Sequence, residues 1–200
     1  MRLVGAFHRA LVGNRRSRLL AEKIAELIPQ NSRVLDVGCG DGGISMRIKR
    51  RRADLDVRGI EVFPREETRI PVEIFDGQRI PHAESSFDFV LFVDVLHHTE
   101  DPAALLREAT RVSRGGIVIK DHTLEGLFAG PTLRLMDRVG NPARGVAMPY
   151  NYWTEEKWKQ TFQALGLRVD TWLPKLNLFP LPADWIFGRS LHFIARLRAP

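Results

Sequence analysis

Apolar positions along this chain follow two rhythms, one helical and one extended, and the two alternate. Residues 16–28 (RSRLLAEKIAELI) set Leu19, Leu20, Ile24, Leu27 and Ile28 at helical intervals, and Pro29 stops the helix they predict. Residues 33–37 (RVLDV) are a short apolar run that ends in a cluster of glycines, which reads as a strand and a turn. A helix is expected from about 43 to 51, a second strand at 57–62 (VRGIEV), a weak helix at 64–69 and a third strand at 72–76 (VEIFD). After a polar, turn-rich stretch, FDFVLFVDVL at 87–96 is too apolar for an edge and suits a central strand covered on both faces. Residues 101–113 predict a helix with Pro102 in its first turn, ended by Arg114-Gly115-Gly116, and IVIKD at 117–121 predicts a fifth strand.

Beyond residue 121 the rhythm loosens. A short helix is expected at 131–138, and a firmer one at 154–165 with Thr154 as its N-cap and Gly166 as its stop. Residues 167–173 and 191–197 alternate well enough for two late strands, separated by an apolar loop that carries Pro174, Pro180, Pro182 and Trp185. Strand and helix in alternation predict an α/β fold: a doubly wound, mostly parallel sheet with helices on both faces, here closed by a C-terminal antiparallel strand pair. Ligands in such sheets bind at the C-terminal ends of the strands. The expected organisation is one domain over residues 1–200, with 1–29 as an N-terminal helical segment and 122–153 as a cap over the substrate.

Composition narrows the classes without naming a chemistry. Two hundred residues, 44% hydrophobic and 27% charged, are ordinary for a globular chain and exclude a disordered or collagen-like one. A single cysteine, Cys39, rules out an intramolecular disulfide and a cysteine-built zinc site, and fits a reducing compartment. The apolar runs fall short of the ~20 residues that span a bilayer. His8 and Arg9 interrupt any early signal-like stretch, so the expected location is cytoplasmic. The formal charge is +6, with basic clusters at Arg15, Arg16 and Arg18 and at Arg47, Lys49, Arg50, Arg51 and Arg52. The second cluster follows a predicted helix, where cations favour the dipole, so a solvated face is the preferred reading. Nucleic acid is a partner the charge permits but does not favour, and peripheral contact with an anionic membrane stays open.

The candidate chemistry centres on Val34-Leu35-Asp36-Val37-Gly38-Cys39-Gly40-Asp41-Gly42-Gly43. Gly38, Gly40 and Gly43 satisfy the G-x-G-x-x-G pattern of dinucleotide sites, a weak signal alone. Asp36 argues against a pyrophosphate and for a ligand with an ammonium or sulfonium group, because opposite charges attract there. The stretch from Val34 to Gly42 resembles, letter for letter, the motif of the class I S-adenosylmethionine-dependent methyltransferases of the small single-domain group. The resemblance continues through Gly59-Ile60-Glu61, Phe75-Asp76-Gly77, Ser85-Ser86-Phe87-Asp88-Phe89-Val90 and Asp94-Val95-Leu96-His97-His98. Arg114-Gly115-Gly116 stands where the family has a proline before two glycines. It covers about residues 30–120.

That resemblance implies a Rossmann-like methyltransferase fold and S-adenosyl-L-methionine as cofactor, leaving S-adenosyl-L-homocysteine. It implies cofactor contacts from Asp36, Gly38, Cys39, Gly40, Glu61, Val62, Asp76, Gly77 and Asp94. Glu61 would grip the ribose hydroxyls, Val62 would pack on the adenine and Asp76 would meet its amino group. A general base is needed only for an acceptor that must lose a proton. His97, His98, Asp121, His122 and Tyr150 are candidates; His122, at the end of the fifth strand, is preferred. No metal site is expected, because the histidines at 97, 98 and 122 lack a carboxylate or thiolate at a recognisable spacing. Phe128, Met136, Tyr150, Tyr152, Trp153, Trp172, Phe179 and Trp185 suggest a small, partly apolar or lipid-like acceptor. Residues 1–18 and 122–150 are expected to close over it. A nucleic-acid or protein methyltransferase and a nicotinamide-dependent oxidoreductase are the alternatives, and a fold that binds cofactor without catalysis is a third.

Overall fold

A computed structural model describes the backbone of residues 2–63, 65–140 and 149–199, with side chains from residue 13 onward within those ranges. Pro142 and Gly145, which belong to the expected cap, lie outside the described residues.

The first helix, α1, runs over Arg2–Leu27. Strand β1 (Arg33–Val37) leads into α2 (Gly43–Arg51), and β2 (Asp56–Glu61) and β3 (Val72–Ile74) follow. Next come β4 (Phe87–Val93), α3 (Pro102–Val112), β5 (Ser113–His122) and α4 (Ala129–Gly140). The chain then forms α5 (Glu155–Ala164), β6 (Arg168–Leu173) and β7 (His192–Arg198). Among the described residues, seven strands form one sheet in the order β3-β2-β1-β4-β5-β7-β6. The first five are parallel, while β7 runs antiparallel to both β5 and β6. Strand order reverses between β1 and β4, and in doubly wound sheets a crevice opens at that point.

Period-two alternation assigns the two faces of the sheet. Phe89 and Leu91 of β4 and Val118 of β5 join Leu20, Ile24 and Ile28 of the N-terminal region and Ile48 of α2 in one core. Val90 and Phe92 of β4 and Ile117 and Ile119 of β5 point the other way, into a core with Leu105 and Leu106 of α3 and Trp158 and Phe162 of α5. This two-sided cover explains the near-continuous apolar run of β4. Local signals behave as expected at α3, where Asp101 accepts the Ala104 N–H at 2.9 Å, and at α5, where Thr154 accepts the Lys157 N–H at 3.2 Å.

Four expectations need correction. The N-terminal helix is much longer than residues 16–28, since no proline interrupts the chain between Arg2 and Leu27. The weak helix at 64–69 is not formed in its described residues: the Arg69 N–H donates to the Asp41 carbonyl at 2.9 Å and its guanidinium pairs with the Asp41 carboxylate at 3.0 Å. So short a segment gains more from that cross-link than from a costly helix nucleus. Arg114-Gly115-Gly116 does not end α3 from outside but lies within β5, where a Cβ on Gly115 would stand 2.7 Å from the Asp88 carbonyl oxygen of the neighbouring strand. Strand β3 stops at Ile74 rather than residue 76, because Asp76 turns the chain by accepting the N–H groups of Gln78 and Arg79.

Candidate active site

The C-terminal ends of β1, β2 and β4 meet at the strand-order reversal, and the glycine loop fills that position. Gly38, Gly40 and Gly42 have φ of 70°, 60° and 72°, the left-handed region that a side chain resists. The loop is tied to β2 by Gly38 and Cys39, whose N–H groups donate to the Ile60 carbonyl at 2.8 and 3.3 Å. A Cβ on Gly38 would stand 2.7 Å from a Val95 methyl, whereas one on Gly40 would meet nothing within 4 Å. Gly38 therefore serves close packing, and Gly40 faces open space.

Glu61, at the end of β2, accepts the Gly40 N–H at 2.7 Å, the Val62 N–H at 2.9 Å and the Phe63 N–H at 3.3 Å. The carboxylate is thus held at the rim of the loop. Asp36 sits behind it: 3% exposed, it accepts the Ser45 hydroxyl at 2.6 Å. Burial pushes its carboxyl up to about 7, Ser45 opposes the shift and the Glu61 charge adds to it. Asp36 is thereby anchored to α2 through Ser45, beneath the glycine loop. Burial pushes the Cys39 thiol up as well, which makes it a packing residue rather than a nucleophile. Asp76 is exposed at its turn, held below the usual carboxylate range by the Gln78 and Arg79 amides, and Gly77 beside it takes φ 82° against Val62.

A second, charged layer lies at the ends of β4 and β5. Asp94 has φ 57° and forms ion pairs with Arg16 of α1 and Lys120 of β5. Burial raises the Asp94 carboxyl, but these two cations outweigh it and hold the group well below the carboxylate range. Lys120 is fully buried, and its ammonium also reaches His192 Nδ1 at 3.3 Å. His192 Nε2 lies 2.7 Å from the Phe187 carbonyl, so it carries the proton and leaves Nδ1 as an acceptor for Lys120. His122 follows the same logic. Its Nδ1 faces the Leu191 carbonyl at 3.2 Å, which leaves a lone pair on Nε2, 3.5 Å from Asp94. Burial, with Lys120 nearby, holds its pKa well below the usual value. His122 is therefore unprotonated at neutral pH but a weaker base than its strand-end position suggested.

His97 opens a third group. Its Nδ1 lies 2.6 Å from Asp121, whose carboxylate also accepts the Leu96 and His122 N–H groups at 3.0 and 2.7 Å. Its Nε2 lies 3.6 Å from Asp137 of α4, which also accepts the Tyr152 hydroxyl. Burial opposes charge on His97, but Asp121 and Asp137 prevail and push its pKa up to about 10. The His98 ring lies 3.9 Å from that of His97, and burial together with the His97 charge lowers its pKa. The carboxylates that looked absent by sequence spacing are thus supplied across the fold. Arg16, Lys120, Asp137 and His192 were not singled out as site residues. Lys120, a charge within an apolar strand, was the one with a visible signal.

The aromatic wall divides. Trp172 stacks on Phe193 at 4.3 Å and Trp153 packs on Trp158 at 4.7 Å, so both serve the core. Phe128 and Trp185 are exposed, and Tyr150 and Tyr152 stand beside α4 and the histidines.

Residues 12–171 match the methyltransferase domain family. The chain is 28% identical to ajmaline N-methyltransferase of Rauvolfia serpentina over 195 residues, covering 84% of this chain and 58% of that protein. It is 26% identical to dimethylglycine N-methyltransferase of Parasynechococcus marenigrum, covering 74% of this chain and 56% of the relative. The chain therefore spans little more than half the length of these relatives. Among solved structures, a methyltransferase from Thermotoga maritima superposes with a TM-score of 0.67 at 22% identity, covering 100% and 97% of the two chains. The geranyl diphosphate C-methyltransferase from Streptomyces coelicolor, in complex with Mg2+, geranyl diphosphate and S-adenosyl-L-homocysteine, gives 0.68 at 12% identity over 90% and 78%. Among the described residues, no helix is long and apolar enough to cross a membrane.

Proposed function

The chain belongs to the class I S-adenosylmethionine-dependent methyltransferase family, and on that footing we propose that it methylates a small, partly apolar acceptor. The observation that carries the reading is the loop at 38–43: Gly40 faces open space beside the Glu61 carboxylate, at the crevice where this sheet architecture binds its ligands. A Cβ at Gly40 would enter that space, so the cradle fits a ligand that presses against backbone. Gly38, Cys39, Gly40, Glu61, Val62 and Gly77 would hold the cofactor, with Asp76 and Asp94 at the ends of the same cleft and Asp36 supporting the loop from behind. When bound, S-adenosylmethionine supplies a methyl group on a positively charged sulfur.

The chain's own residues then have three tasks. Glu61 would exchange its bond to the Gly40 amide for ligand hydroxyls, charge-assisted contacts that orient as well as bind. Arg16, reaching Asp94 from α1, closes one side of the cleft and helps keep water out. Where the acceptor must lose a proton, His122 Nε2 would take it, since Nδ1 is committed to Leu191 and Nε2 is unprotonated at neutral pH. The relatives support a small acceptor: their names give ajmaline, dimethylglycine and 2-methyl-6-phytyl-1,4-hydroquinone. Tyr150 and Tyr152 beside α4 suit a ring or chain of that kind. Calorimetry with S-adenosylhomocysteine tests the reading, with binding at micromolar concentration expected. Folded protein that takes up none at millimolar ligand would overturn it.

A further inference from the structure

Two carboxylates face one buried imidazole at the base of α4. His97 is 1% exposed, and its Nε2 has no hydrogen-bond partner among the described residues. The Asp137 carboxylate lies 3.6 Å from it, and the His98 ring centroid lies 3.9 Å from that of His97. One ligand atom from each of His97, His98 and Asp137 lies within 4.8 Å of the others. We propose that these three residues form a binding site for a first-row divalent metal ion, one that links α4 to the turn after β4.

Three observations carry the proposal. The donor set, two imidazoles and one carboxylate, suits iron(II), cobalt(II), nickel(II) or zinc(II), not the oxygen-loving calcium or magnesium. The surroundings of two ligands are already built. His97 Nδ1 is oriented by Asp121, itself anchored by the Leu96 and His122 amides, and Asp137 accepts the Tyr152 hydroxyl. Outer partners of this kind fix the tautomer and aim the lone pair. A divalent ion would displace the proton that Asp121 and Asp137 hold on His97 and take its place between their two carboxylates, so binding releases a proton. Ligand atoms about 2.1 Å from a shared zinc sit roughly 3.4 Å apart, so the 4.8 Å span closes by side-chain adjustment. Three protein ligands leave at least one coordination position for water or another oxygen ligand. The sequence spacing hides the site because Asp137 lies some forty residues from the histidine pair.

The test uses untagged protein and cobalt(II) alone, with ligand-field absorption and calorimetry as readouts. One equivalent is expected to bind. His98→Ala and Asp137→Asn should each weaken binding at least tenfold, and Tyr152→Phe should weaken it about tenfold. His82→Ala, at a histidine elsewhere on the chain, should change nothing. Zinc(II) is expected to displace the cobalt spectrum. Folded protein that binds no cobalt at millimolar concentration would overturn the proposal, as would binding unaffected by His98→Ala. If Asp137→Asn does not fold, the His98 and Tyr152 variants decide. None of these readouts depends on S-adenosylhomocysteine, so failure here leaves the methyl-transfer reading standing, and the converse holds.

Discussion

Single side chains around the glycine loop give the sharpest expectations. Glu61→Ala removes a carboxylate held ready by three amides, and each charge-assisted hydrogen bond lost is worth roughly 1.5–3 kcal/mol. S-adenosylhomocysteine affinity, measured by calorimetry, should fall tenfold or more; an unchanged dissociation constant would reduce Glu61 to a turn residue. Gly38→Val drives a side chain into Val95 from a left-handed backbone, so it should damage loop and stability together. Gly40→Ala is the cleaner probe: it carries the strain of a left-handed backbone, but its Cβ meets nothing within 4 Å, so affinity should drop with only a modest loss of stability. Asp36 makes stability depend on pH. Its folded pKa, about 7, lies above its unfolded value of 3.8, so its contribution is complete below 3.8 and is lost as pH rises through about 7. At roughly 1.4 kcal/mol per pH unit, this residue should remove about 2 kcal/mol between pH 5.5 and 8. Urea unfolding of Asp36→Asn should show a flatter pH dependence; an equal slope in both proteins would refute the assignment. At this scale the sequence was readable wherever a motif kept its residues adjacent, as at 34–43. It was mute on Asp137 and His192, whose partners are brought together only by the sheet and α4.

Among the elements, α1 has the largest consequence. Leu20, Ala21, Ile24 and Ala25 are buried against α2 and the sheet, while Arg16 on the same helix reaches Asp94. Packing and the site therefore share one rigid rod. Ile24→Ala should cost roughly 2–5 kcal/mol, read from denaturant unfolding. A loss under 1 kcal/mol would mean that α1 is only loosely attached. The expected closing movement of 1–18 and 122–150 meets different starting points at its two ends. Residues 2–18 belong to a continuous helix, and 129–140 form α4, tied to His97 through Asp137. Hydrogen exchange with and without ligands decides between a moving lid and a fixed wall: protection that rises in 122–140 on binding supports closure, and equal protection refutes it. Periodicity was a good guide to strands because each buries alternate residues in different cores. It failed at 64–69, where a cross-chain ion pair outcompetes local helix, and at β5, whose first glycines look like a helix stop until the close approach of β4 is known.

For the whole molecule, ligand binding and stability are one measurement. A ligand at a hundred times its dissociation constant adds about 2.7 kcal/mol to a protein that binds it only when folded. For a chain of this size that raises the melting temperature by roughly 5–11 °C. S-adenosylhomocysteine should do so and NADH should not; the reverse would favour the oxidoreductase alternative. The charge of +6 has its own check, since uptake of nucleic acid through scattered arginines should be sequence-blind and vanish at moderate salt. The alternation of strand and helix announced the parallel sheet, but strand order and the placement of β7 depend on pairings between distant segments, which no local pattern encodes.

The position of β7 also bears on biosynthesis. It pairs with β5 on one side and β6 on the other, and brings His192 opposite His122. A chain emerging from the ribosome presents β6 before β7, its neighbour among the described strands, exists, and leaves the edge of β5 bare until residues 192–198 arrive. An apolar strand with an unpaired edge invites association with other chains. The nascent protein therefore passes through an aggregation-exposed stage until β7 is made, and the charged layer around Lys120 and Asp94 is completed only when that strand slots in. Stalled or truncated products lacking it should partition into the insoluble fraction.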